Sequence, residues 1–127
     1  MKPLIISFAS LLLLISTWGF FIFYTSSTLE EMSAQLKQEV YQPIASEEWP
    51  SAASGIKHIA ESWHKNKAIF YMLSNHGIVR ETDLSIAKTQ EFIKNQERSD
   101  ALAELAAINE LFISIQQCEA FSLDNLL

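Results

Sequence analysis

Cysteine, glycine and proline are all scarce in these 127 residues, which hold one Cys, three Gly and three Pro. One thiol, Cys118, allows no internal disulfide, so packing alone must hold the fold. The residue itself reads as a small hydrophobe near the end of a helix. Few glycines and prolines mean few turns, and few turns mean long helices. Catalytic signatures are missing as well. There is no nucleophile elbow, no glycine-rich phosphate loop and no His-Glu-x-x-His run. The sequence therefore predicts no enzyme and no cofactor.

No charged side chain occurs between Lys2 and Glu30. Within that gap lies the apolar run Leu4 to Tyr24, LIISFASLLLLISTWGFFIFY, and about 20 such residues suffice to cross a bilayer as a helix. A cleaved secretory signal has a shorter core of roughly 7 to 15 residues, so the run reads as an uncleaved anchor, although Thr25 and Ser27 leave a poor cleavage site open. Trp18 and Tyr24 sit towards its far end, where amphipathic rings favour the headgroup region. Lys2 precedes the run whereas Glu30 and Glu31 follow it. The positive-inside rule then places the amino terminus in the cytoplasm and the rest outside, in a single-pass arrangement at the cell membrane.

The remaining hundred or so residues are enough for one small domain. All 15 acids and eight of the nine Lys and Arg residues lie there, a formal charge of −7. Such a surface repels nucleic acid and anionic lipid headgroups, which rules against polybasic recognition of either and excludes nucleic acid as a partner. Self-association is left open.

Periodicity organises this domain. Ser27 with Glu30, or Thr28 with Glu31, fits a capping box, and Leu29, Met32, Leu36 and Val40 recur at helical spacing up to Pro43. Ser46 followed by Glu47 and Glu48 is a second start signal. Trp49, Ala52, Ile56, Ile59, Trp63, Phe70 and Leu73 then share one face, with Asn66 in the missing place, and His76-Gly77 reads as the end of that helix. Weaker stripes follow: Val79, Thr82, Ile86, Thr89, Ile93, and Ala101, Leu105, Ile108, Phe112, Ile115. The expected fold is all-α, an N-terminal transmembrane helix followed by an antiparallel up-down bundle of three to four helices. Residues 1–26 form the cytoplasmic stub and anchor. Residues 27–120 form the bundle, with helices at about 28–42, 47–75, 79–94 and 97–119. Residues 121–127 form a tail that returns to the membrane surface.

Trp49, Trp63 and Phe70 are the expected core aromatics, and two polar residues stand beside them on faces that should be apolar. Turns near Gly77 and Gln96 set Lys67 level with about Ala87, and Ala87 level with about Leu105, so Lys67 and Glu104 are predicted in one polar core layer. Lys67 has the simpler option of snorkelling along the bundle. The same arithmetic brings His76 near Ile115, about a turn from Glu119. His76, Glu119, Asn125, Leu126 and Leu127 thus form a candidate membrane-proximal interaction layer, against lipid or an embedded partner. Glu61 and His64 have the Glu-x-x-His spacing of di-metal bundles, but Glu61 lies roughly 160° from core-facing Trp63 and no second pair accompanies it, so no metal site is assigned.

The pattern Trp49-x-x-Ala52, Trp63-x-Lys65-x-Lys67-x-x-Phe70-x-x-Leu73-x-x-His76, Asp83-x-Ser85-Ile86-Ala87, Phe92-Ile93, Ala101-Leu102-Ala103-Glu104-Leu105 and Glu119-x-x-Ser122-Leu123-x-Asn125-Leu126-Leu127 resembles domain-of-unknown-function family 4363. That resemblance implies a small, singly anchored protein of endospore-forming bacteria or their relatives, with no established activity. It also implies a neighbour, a polytopic membrane protein family linked with spore membranes. The leading expectation is a membrane-anchored accessory protein whose outer helical bundle binds or stabilises a polytopic membrane protein. A ligand-sensing bundle like those of chemoreceptors is the alternative, and a metal-binding bundle the second alternative.

Overall fold

The computed structural model describes the backbone of residues 1–126 and the side chains of residues 1–72 and 74–118. The described residues form four helices: α1 (Lys2–Ala45), α2 (Trp49–Leu73), α3 (His76–Lys94) and α4 (Arg98–Leu126). No strand occurs among the described residues. Among the described residues only α1 is long and apolar enough, over part of its length, to cross a membrane. Residues 1–20 are exposed throughout.

Past Thr25 the character of α1 changes. Thr25, Leu29, Met32, Leu36, Val40 and Ile44 turn one stripe towards the other helices and are buried. They meet Ala52, Ile56, Ile59, Trp63 and Phe70 of α2, Val79, Ile86 and Ile93 of α3, and Ala101, Leu105, Ile108, Phe112 and Ile115 of α4 in one core. Burying each larger side chain contributes on the order of 2 kcal/mol. The weak stripe of α3 works because its threonines hide their polarity. The hydroxyls of Thr82 and Thr89 donate to the carbonyls of Ile78 and Ser85, each at 2.8 Å, so no buried donor is left unpaired.

The helix expected at about 28–42 continues the apolar run, and Pro43 does not end it as expected. A proline has no N–H for the carbonyl four residues back, here Glu39. Residues Leu36–Tyr41 widen into a π-helical stretch, in which the Gln42 N–H bonds the Lys37 carbonyl, and the helix passes through the proline to Ala45. At this point Gly55 of α2 lies directly against the Glu39 carbonyl group. A Cβ added to Gly55 would fall 2.7 Å from the Glu39 carbonyl carbon and 3.1 Å from its Cβ. The glycine is there for close approach of two backbones.

The turns also differ from the expected ones. Ser46 caps nothing. Instead Glu47 takes a left-handed conformation (φ 59°), and the Glu48 N–H bonds back to the Pro43 carbonyl at 2.7 Å. The turn after α3 repeats this with Gln96 (φ 56°) and Glu97 bonded to Phe92 at 2.8 Å. Both are Schellman closures built without glycine. Gly77, by contrast, is not a helix terminator. Asn75 accepts the Gly77 N–H at 2.7 Å and caps α3, so His76 and Gly77 open that helix rather than close α2. Every register that rests on this turn is shifted accordingly.

Candidate functional site

Polar side chains converge on the seam between α2 and α3. Trp63 and Lys67 are one turn apart on α2, and Asp83 faces them from α3. The indole N–H of Trp63, itself wholly buried, donates to Asp83 Oδ1 at 2.6 Å. The Lys67 ammonium meets Asp83 Oδ2 at 2.5 Å. One carboxylate therefore satisfies a buried donor and a half-buried cation together. The line continues through Tyr71, whose ring centroid lies 5.7 Å from the Lys67 ammonium, to His76, edge-on to Tyr71 at 5.0 Å. Beneath it, Trp63 stacks on Phe70 and Phe112 with centroids 5.0 and 6.0 Å apart. The hydrogen bond to Asp83 holds the Lys67 ammonium above its ordinary pKa. Partial desolvation works against this, and the charges of Asp83 and Tyr71 add to it.

This arrangement corrects the expected pairing of Lys67 with Glu104. Moving the α2–α3 turn from Gly77 back to Ser74–Asn75 slides α3 by about five residues against α2, more than a helical turn, so Lys67 stands level with Thr82 and Asp83 rather than with Ala87. Glu104 is half-buried and makes no ion pair among the described residues. Trp63 and Phe70 are in the core, and Trp49 packs against its edge. His76 is exposed. Glu119, Asn125, Leu126 and Leu127 lie outside the residues whose side chains are described. Asp83 was within reach of sequence reasoning: an Asn two residues before Gly77 is a preferred helix cap, and taking it as one restores the register.

The chemistry available at this seam is limited. Both oxygens of Asp83 are committed, so it is neither a free base nor an open ligand. Elsewhere, His58 Nδ1 lies 3.7 Å from Glu39 Oε2, too far for a hydrogen bond, and Glu61 and His64 are both exposed. No group of three or more His, Cys, Asp and Glu side chains is placed to hold a metal among the described residues. What the seam does is clamp α3 to α2 in one register.

A second feature is a groove between α1 and α4 of about 470 Å³. Leu36, Leu102 and Leu105 form its floor, with Ala34 and Ala106 on its walls. Ser33 Oγ donates to Asn109 Oδ1 at 3.3 Å across it. Lys37 and Tyr41, from the π-helical stretch, complete the lining. Small residues line it on both sides, so the two helices leave an open, largely apolar surface between them.

Neither a curated protein nor a solved structure matches the chain. A family profile does, over residues 20–126, which include Trp63, Lys67 and Asp83 and both walls of the groove. The chain belongs to the family described as the domain of unknown function DUF4363.

Proposed function

We propose that the chain is a membrane-anchored accessory protein: α1 crosses the bilayer once, its amino terminus is cytoplasmic, and the outer half of α1 with α2, α3 and α4 forms an antiparallel up-down bundle that binds a polytopic membrane protein. The observation that carries the reading is the α1–α4 groove, an apolar strip of about 470 Å³ on an otherwise acidic domain. Its small-residue walls suit a helix from a partner, and apolar surface left open in this way marks interaction sites. The filled interior supports partner binding over ligand sensing, since Trp63, Phe70 and Phe112 stack where a sensing bundle would need its cavity.

Site-specific photocrosslinking in native membranes tests this. A photoreactive residue at Ala106, in the groove, should give an adduct with a polytopic membrane protein that the same residue at Ala87, exposed on α3, does not give. Equal adducts at both positions, or none at Ala106, would overturn the proposal.

A further inference from the structure

The register between α1 and α2 carries an inference about height above the membrane. The contact of Gly55 with Glu39 pins the two helices at one level. From there α2 runs 17 residues to Met72, and α1 runs the same 17 back to Ile22. At about 1.5 Å per residue both distances are about 25 Å, so in an antiparallel pair Met72 stands level with Ile22, inside the uncharged run that ends at Tyr24. Met72 is 80% exposed, the most exposed large apolar side chain past Tyr24 among the described residues. At this depth an exposed apolar side chain has lipid to enter.

The opposite side of the turn adds a cation at a suitable height. Counting across Ser74–Asn75, Arg80 of α3 stands opposite about Ile69, which is level with Thr25, one residue past the apolar run. Arg80 is exposed and has no carboxylate within ion-pair distance among the described residues. Of the acids near it on α3, Glu81 lies about 100° round the helix, and Asp83, one turn on and about 60° round, has both oxygens taken by Trp63 and Lys67. Tyr71, partly buried beside Met72, supplies an amphipathic ring at the same level.

We propose that the α2–α3 turn is a second membrane contact, with the Met72 side chain seated in the bilayer interface and the Arg80 guanidinium among the lipid phosphates. The proposal rests on the reading of α1 as a membrane span. It gives the domain two attachments to one leaflet, the span and the turn, and so fixes its tilt and the direction in which the α1–α4 groove opens.

The test uses the full chain with Cys118→Ser in phosphatidylcholine vesicles, carrying one environment-sensitive fluorophore on a new cysteine at Met72, Leu13 or Gln96. Met72 is exposed, so its replacement leaves the core intact. Lipids bearing a spin label near the headgroup should quench the fluorophore at Met72 at least threefold more than at Gln96, and Met72→Cys with Arg80→Glu should lose part of that difference. Quenching at Met72 no greater than at Gln96, with Leu13 still quenched by a deep label, would overturn the turn contact and leave the span standing. An unquenched Leu13 would instead overturn the span itself, and the turn contact with it.

Discussion

Gly55→Ala should destabilise this protein, although alanine is the better helix former. In an exposed helix interior the change would contribute about 0.8–1.0 kcal/mol of stability. Here the new methyl would stand 2.7 Å from the Glu39 carbonyl carbon, where ordinary carbon contacts begin at about 3.5 Å. What it meets is backbone, and it cannot rotate away. α1 and α2 must separate by about 1 Å in the layer that holds Val40, Ile44, Ala52, Ile56 and Ile59, all of them buried. Overpacking of this kind costs typically 1–3 kcal/mol, occasionally more, and the propensity gain offsets only part of the upper range. Because the clash is with rigid backbone, the cost falls in the upper half of that range, and the expected net loss is about 1–2 kcal/mol, or roughly 5–10 °C in Tm for a domain of this size. Urea unfolding of the full chain in micelles, followed by tryptophan fluorescence, measures it. Ala53→Gly, on the exposed side of the same helix, is the control and should lose about 1 kcal/mol through propensity alone. If Gly55→Ala proved as stable as the parent, the close approach of α2 to the Glu39 carbonyl would be refuted.

Asp83→Ala strands the buried Trp63 N–H and the Lys67 ammonium together and should cost about 2–3 kcal/mol in the same unfolding assay, whereas Asp83→Asn keeps an acceptor for the indole and should cost about 1 kcal/mol. Lys67 has its pKa raised by folding, so its contribution is fully present below the unfolded value of 10.5 and is lost as pH rises through the higher folded value. Stability measured across that alkaline range should fall, and Lys67→Met should flatten the part of the fall that the residue causes. Gln96→Gly relieves a left-handed non-glycine residue and should add about 0.5–1 kcal/mol, read as a shift in the urea midpoint; a loss would mean that the Gln96 side chain contributes something its backbone conformation does not reveal.

Periodicity by itself determined the helices and the faces they bury. Leu29, Met32, Leu36 and Val40, the Ala52-to-Phe70 stripe, the threonine-bearing stripe of α3 and the Ala101-to-Ile115 stripe are all in the core, because a period of 3.6 residues is a property of the chain and needs no neighbour to be read. The one uncharged run long enough to span a bilayer was equally visible, being a matter of length and composition. Register between helices was a different matter. It depends on where each turn is made, and an error of two or three residues at Asn75 doubles across the hairpin into more than a helical turn, which is why Lys67 was matched to Glu104 in place of Asp83. The π-helical passage through Pro43 and the seat of Gly55 on Glu39 lay beyond the sequence for a related reason: each is settled by how two backbones approach, and only the packed structure brings those backbones together.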